Sequence, residues 1–139
     1  MQTFLPYADF MASAKVLDRQ RLGKQRVEAW QILQILLGKP AQSRWENHPA
    51  VWMWRGHAED LVLYGIEMCR EWVFRGYRDT LWDRFAGIPF IKDSTQPRWL
   101  GDPDFHVSHQ SNLLRKDFEY YKYYWPDIPA NLPYIWPDP

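Results

Sequence analysis

Apolar residues recur at steps of three and four along much of the chain, the spacing that places them on one face of a helix. Asp9 is suited to cap a first helix, predicted at about residues 9–19. A second helix is predicted at about 20–37, where Gly38 ends it and Pro40 prevents an immediate restart. No run alternates apolar and polar residues over the length of a strand, so we expect minimal sheet.

A third helical region is predicted to begin at Pro49, because proline is favoured as the first residue of a helix. It extends to about Arg75, and Gly56 can interrupt it. A short helix is predicted at about 79–86. Proline, glycine and aspartate are frequent at 87–107, which predicts a long loop.

The last predicted helix begins after Ser108 as its cap and ends near Tyr121. The tail, residues 125–139, contains five prolines and cannot form a regular helix. Its tryptophans and other apolar residues indicate that it packs onto the body. The pattern therefore predicts an all-α fold, a compact helical bundle with an irregular proline-rich C-terminal tail, in a single domain at 1–139.

Composition adds a high aromatic content and a balanced charge. The 139 residues include nine Trp, eight Tyr and seven Phe, and 17 basic residues balance 17 acidic ones. A neutral chain argues mildly against nucleic-acid binding, but the basic residues concentrate at 15–26, where they can form one basic face. With a single cysteine and no apolar stretch of membrane-spanning length, we expect a monomeric cytoplasmic protein.

The segment at 17–29 is the most informative part of the chain, because basic residues surround two carboxylates there. Residues three and four apart share a helix face, so Arg21, Lys24 and Glu28 are expected to lie together. Either this is a solvated face with a Lys24–Glu28 ion pair, or its cations hold phosphates around one working carboxylate. The candidate DNA contacts here are Arg19, Arg21, Lys24, Gln25 and Arg26, and the candidate carboxylates are Glu28 and Asp18.

A second basic segment, residues 108–125, interleaves cations with aromatic residues. This composition suits a nucleic-acid groove, where cations meet phosphates and rings meet bases. The alternative is an amphipathic helix whose tyrosines face the core. His109 has two candidate roles, phosphate contact and helix capping. The candidate DNA contacts in this segment are His109, Arg115, Lys116 and Lys122.

Metal-dependent and cofactor-dependent chemistry has no signature in this sequence. The four histidines show no close metal-ligand spacing with cysteine or carboxylate, and no phosphate-binding loop or dinucleotide fingerprint appears. We therefore expect neither a metal nor a cofactor.

Several segments together resemble a known family: TFLPYADF at 3–10, LDRQRLGKQRVEA at 17–29, HPAVWMWRGH at 48–57, CREWVFRGYRDT at 69–80 and SHQSNLLRKD at 108–117. They resemble the pyrimidine-dimer DNA glycosylases of the phage endonuclease V type, above all their bacterial relatives. The resemblance implies a compact all-helical fold and a bifunctional glycosylase and abasic-site lyase. It also implies an imine between the N-terminal amine and the sugar, assisted by a glutamate. Free α-amines ionise with a pKa of about 7.7–8.0, against about 10.4 for lysine, so a larger fraction is nucleophilic near neutrality.

Two positions depart from the family pattern. Residue 2 is Gln, too large for removal of the initiator methionine to be expected, so the amine is assigned to Met1. Gly23 stands where the phage enzyme has its catalytic glutamate. Glu28, one helical turn further on, is the preferred replacement, and Asp18 is the second choice.

The sequence therefore predicts a DNA glycosylase with abasic-site lyase activity. Its expected partner is double-stranded DNA that carries a damaged or modified pyrimidine. Two alternatives remain open at this point: a nucleic-acid-binding module without catalysis, and a protein–protein interaction domain.

Overall fold

A computed structural model describes residues 1–39, 44–89 and 96–139, and all regular structure in these ranges is helical. The all-α prediction is thus confirmed. The predictions for Pro40 and for part of the 87–107 loop lie outside the described residues. The α-helices are α1 Phe10–Val16, α2 Arg19–Leu36, α3 Pro49–Trp52, α4 Ala58–Phe74, α5 Trp82–Ala86, α6 Pro103–Lys116 and α7 Phe118–Tyr121.

Most helix boundaries follow from local signals that the sequence contains. The Asp9 side chain accepts the Ala12 N–H at 3.0 Å and caps α1, as predicted. Pro49 is the first residue of α3. Gly56 has a φ of 78°, a conformation that side chains with a Cβ rarely adopt, and it separates α3 from α4. The predicted interruption of the third helical region is therefore confirmed.

The prediction for α6 is wrong at its start. The helix begins at Pro103 with Asp102 as its cap, inside the predicted loop at 87–107. Ser108 is buried within the helix and donates to the Phe105 carbonyl at 2.7 Å, so it caps nothing. An Asp-Pro pair is the stronger start signal, because it supplies both a cap and a preset backbone angle.

The core forms around α4, which packs against α1, α2 and α5. Its fully buried side chains include large aromatic rings, so most of the aromatic content serves the core. The apolar side of α2 faces this core through Leu22, Ala29 and Leu33. Leu37, at the end of the predicted helix, lies just past α2 and is 45% exposed.

The N-terminal segment, residues 2–6, forms no helix or strand. Side chains satisfy its backbone instead, which a buried segment requires. The Leu5 N–H donates to His109 Nδ1 at 2.9 Å, and the Leu5 carbonyl accepts from His106 Nδ1 at 2.8 Å. Tyr64 bonds to both backbone groups of Phe4. The segment is thereby fixed by contacts from distant parts of the chain.

The C-terminal tail packs onto the body, as predicted. Trp125 is 6% exposed, and Trp136 packs against the core. Arg115 donates to the carbonyls of Ala130 and Leu132, and the Tyr134 hydroxyl donates to the Thr3 carbonyl at 2.7 Å. The tail therefore also holds the N-terminal segment. Within the described ranges, no helix has the length and apolarity needed to cross a membrane.

Stability is expected to fall as the pH drops from 6.5 to 5. Burial lowers the pKa of His109 to about 3, and it also lowers the pKa of His106 and of His48. Below pH 6.5 the unfolded chain binds protons that the folded chain does not, so the free energy of unfolding decreases, by up to about 1.4 kcal/mol per pH unit for the completely buried His109. Urea unfolding at pH 7 and pH 5 measures this. His109→Gln, which keeps an acceptor for the Leu5 N–H, should give a smaller difference, and an equal one would contradict the assignment.

Candidate functional site

A carboxylate of α2 touches the N-terminal segment. Glu28 Oε2 accepts the backbone N–H of Gln2 at 2.7 Å. Gln25 Nε2 donates to the same carboxylate oxygen at 3.3 Å. The α-amine of Met1 therefore lies one residue before the Gln2 backbone nitrogen, which is hydrogen-bonded to Glu28. The catalytic role predicted for Glu28 requires a carboxylate within reach of the N-terminal amine, and this contact brings Glu28 close to the chain terminus.

A pocket of about 150 Å³ opens over this contact. Three of its lining residues are cations, three are amides, one is the Glu28 carboxylate and one is a phenyl ring. Lys24 and Glu28 are one turn apart on α2, and Lys116 reaches the pocket from the end of α6. The pocket can hold a phosphodiester next to a carboxylate. Its lining consists of Gln2, Phe4, Gln20, Arg21, Lys24, Gln25, Glu28 and Lys116.

Asp18, the second candidate carboxylate, has a structural position. Its side chain caps α2 by accepting the Arg21 N–H at 3.4 Å, and it pairs with the Arg21 guanidinium at 3.2 Å. It also accepts the Tyr121 hydroxyl, whose oxygen in turn accepts the Asp18 N–H. Asp18 is absent from the pocket lining. The proximity to the N-terminus thus favours Glu28 over Asp18.

Gly23, where the family glutamate was expected, faces the body of the protein. A Cβ added there would lie 3.0 Å from the ring of Trp72 on α4. A side chain at this position would require that ring to shift by a few tenths of an ångström. The close approach explains why a residue without a side chain occupies an interior helix position.

Arg26 was predicted to contact DNA, but its guanidinium is already engaged. It forms an ion pair with Asp79 and lies 4.6 Å from the centre of the Trp72 ring. Burial acts to raise the pKa of Asp79, yet hydrogen bonds from the Trp82 N–H and from Arg26 bring it below its usual value. Loss of one partner of such a pair leaves a buried charge. The structure therefore places Arg26 in the framework between α2 and α5.

The predicted contacts of the second basic segment separate in the structure. His109 is completely buried inside α6, where it does not cap the helix and leaves no exposed atom for a phosphate, and burial lowers its pKa to about 3. Arg115 holds the tail. Lys122 pairs with Glu119 at 2.7 Å. Of this set only Lys116 lies in the pocket.

The tyrosines of this segment support both earlier interpretations in part. Tyr121 is fully buried, as the amphipathic-helix interpretation requires, and stacks on Trp125. Tyr123 and Tyr124 are 78% and 49% exposed and lie beside Lys122 in the sequence. These two rings are exposed, as the nucleic-acid interpretation requires.

His48 is a neighbour of the site that the sequence did not indicate. Burial, and after it the positive N-terminal ammonium, lower the pKa of His48, while Glu28 acts in the opposite direction. His48 Nδ1 accepts the Ala50 N–H at 3.1 Å and caps α3. The imidazole is therefore neutral near pH 7 and adds no charge beside the amine. In the sequence, only its position directly before Pro49 indicated a role for His48, and that role is to cap a helix.

A metal site is not apparent in the described part of the chain, where no three His, Cys, Asp or Glu side chains cluster as ligands. Apart from one phenyl ring, the residues that line the pocket over the Glu28–Gln2 contact are cations, amides and one carboxylate.

Comparison with known proteins identifies one family. A family model described as pyrimidine dimer DNA glycosylase matches residues 1–84. The matched region contains the N-terminal segment and all of α2, whereas Lys116 lies beyond it. No curated protein and no solved structure matches the chain.

Proposed function

Because this chain belongs to the pyrimidine dimer DNA glycosylase family, we propose that it excises a damaged or modified pyrimidine from double-stranded DNA and then cleaves the abasic site. The observation that carries the proposal is the contact between Glu28 and the backbone nitrogen of Gln2. It places a carboxylate next to the start of the chain, inside a cationic pocket.

The unprotonated amine of Met1 attacks the sugar carbon C1′. As the new C–N bond forms, the bond from C1′ to the base breaks, and the base leaves with the electron pair and takes up a proton. The sugar ring opens to give an imine. Glu28 stabilises the positive charge that develops and accepts or returns protons during these steps.

The imine makes the proton on C2′ acidic. Removal of this proton expels the 3′ phosphate, which breaks the strand, and water then releases the sugar from the amine. Lys24, Arg21 and Lys116 hold the phosphates on either side of the sugar. The sugar carbon is hidden in a stacked duplex, so the nucleotide must leave the helix to react.

Borohydride trapping tests the proposal, because it reduces an imine to a permanent bond. Incubation with abasic duplex DNA and borohydride should give a covalent protein–DNA adduct, and mass spectrometry should place the attachment at the Met1 nitrogen. Protein acetylated at its N-terminus should give none. DNA binding without an adduct would indicate a binding module without catalysis, and neither binding nor adduct would contradict the proposal altogether.

Affinity for duplex DNA is expected to depend steeply on salt through the pocket cations. Lys24→Ala and Lys116→Ala should each weaken binding and reduce the slope of log affinity against log salt by about 0.9, since each removes one phosphate contact. Titrations at several salt concentrations measure the slope. Lys39→Ala, a lysine beyond the far end of α2, is the matched control and should leave the slope unchanged. If all three variants gave the same slope of log affinity against log salt, the pocket would not be part of the DNA interface.

A further inference from the structure

Gln25 occupies a position on α2 that the sequence assigned to the DNA-binding face, yet it is only 1% exposed. Its Nε2 donates to the Gln2 carbonyl at 3.2 Å and to Glu28 Oε2 at 3.3 Å. Its Oε1 accepts the Phe4 N–H at 3.3 Å and the Tyr64 hydroxyl at 2.6 Å. A glutamine amide has two donor hydrogens and two acceptor lone pairs. All four are used inside the protein, so none remains for DNA.

These bonds close a small ring around the start of the chain. The Gln2 N–H and the Gln25 amide meet at the same oxygen of Glu28, and the Gln25 amide also holds the Gln2 carbonyl. The distance between Glu28 and the first residues is therefore set by Gln25 as well as by the direct bond. Rotation of the Glu28 side chain would break two bonds at once.

Tyr64 fixes which way the Gln25 amide points. The Phe4 N–H donates to Oε1, and the single hydrogen of the Tyr64 hydroxyl is shared between Oε1 and the Phe4 carbonyl, so that Oε1 faces these donors and the NH₂ group faces Glu28. The reverse orientation would bring Oε1 against the carboxylate, where two acceptors repel. Complete burial raises the pKa of Tyr64 far above its usual value, so its hydroxyl stays protonated and able to donate.

We propose that Gln25, oriented by Tyr64, is the positioning residue that holds Glu28 against the N-terminal nitrogen, and so sets the geometry of the amine and carboxylate. This inference rests on the proposed glycosylase and lyase activity. Gln25 acts through Glu28 and touches no reacting atom. A positioning residue of this kind affects the rate of the chemical step, whereas the affinity for DNA comes from the cations.

Gln25→Leu removes all four bonds and keeps a side chain of similar size. The rate of imine trapping with abasic DNA should fall roughly 10- to 100-fold, because small misplacements of reacting groups cost rates of this size. Tyr64→Phe should slow trapping in the same direction. The dissociation constant for abasic DNA should stay within about twofold of the wild-type value in both variants.

Tyr134→Phe is the matched control. It also deletes a tyrosine hydroxyl bonded to the N-terminal segment, at the Thr3 carbonyl, but that hydroxyl does not contact Gln25 or Glu28. Tyr64→Phe also removes bonds to both backbone groups of Phe4, so slower trapping than in Tyr134→Phe is necessary for the positioning role, and an equal rate would contradict it.

A double variant shows whether Gln25 acts through Glu28. In a Glu28→Gln background, Gln25→Leu should cause little further slowing, because the group that it positions is already gone. Additive losses would overturn the inference. So would normal trapping by Gln25→Leu when Glu28→Gln is slow, although the proposed function would then stand.

Hydrogen exchange at the Gln2 amide gives a readout that needs no activity. This amide donates to Glu28 Oε2, so its exchange should accelerate in Gln25→Leu and Tyr64→Phe more than in Tyr134→Phe. If the wild-type protein forms no adduct, the proposed function fails. Unchanged exchange in Gln25→Leu would in that case also overturn the positioning role, and accelerated exchange would support it.

Discussion

Glu28→Gln is expected to keep the affinity for abasic DNA and to slow strand cleavage by about 10²–10⁴-fold, the usual contribution of a positioned acid–base group. The variant retains an oxygen that can accept the Gln2 N–H, so the local fold persists. It loses the negative charge that, in the proposed mechanism, stabilises the cationic imine, and it loses the capacity to take up a proton. Single-turnover cleavage of abasic duplex DNA measures the rate, and a binding titration measures the affinity.

Asp18→Asn is the matched carboxylate control, because Asp18 was the second candidate. Asparagine also caps helices, so the helix start should survive, while the bond from the Tyr121 hydroxyl and the pair with Arg21 weaken. We expect a stability loss of about 1 kcal/mol and a nearly normal cleavage rate. A slow Asp18→Asn together with a normal Glu28→Gln would transfer the catalytic role to Asp18 and leave the mechanism intact.

Deletion of residues 125–139 is expected to lower the free energy of unfolding more than any of the single-residue variants described above. The burial of Trp125, worth about 1.5–3 kcal/mol, and the partial burial of Trp136 would be lost, and Arg115 would lose its two carbonyl partners. The Thr3 carbonyl would also lose the Tyr134 hydroxyl, so the N-terminal segment should loosen and imine trapping should fall with stability. Thermal unfolding and trapping on the same preparations measure both effects.

A shorter deletion tests whether the loss of stability comes from the packing of the tail tryptophans or simply from shortening the chain. Removal of residues 137–139 takes away the hydrogen bond from Trp52 to Asp138 and leaves both tail tryptophans in place. It should lower the melting temperature only slightly. A melting temperature that is the same in the long deletion as in the wild type would show that the tail contributes nothing to the fold.

The sequence alone determined the helical class and most helix boundaries. Asp9, Pro49 and Gly56 act through bonds and backbone angles within a few residues, so their effects can be inferred without knowing the fold. The same short-range reasoning joined Glu28 to Lys24 and Arg21, because residues three and four apart share a helix face. The start of α6 was predicted wrongly because the sequence contains two candidate caps, Asp102 and Ser108. The structure uses Asp102, which Pro103 follows.

Only the tertiary structure decided what each polar residue of α2 faces. Gln25 and Arg26 are adjacent in the sequence, yet one binds the N-terminal segment and the other binds Asp79. Neither partner lies near them along the chain, and helical periodicity carries no information about such contacts. The meeting of Gln2 with Glu28, and of both with Lys116, likewise depends on how the N-terminal segment packs against α2, α4 and α6. Periodicity is set by neighbours in sequence, whereas a site is set by neighbours in space that only the packed core brings together.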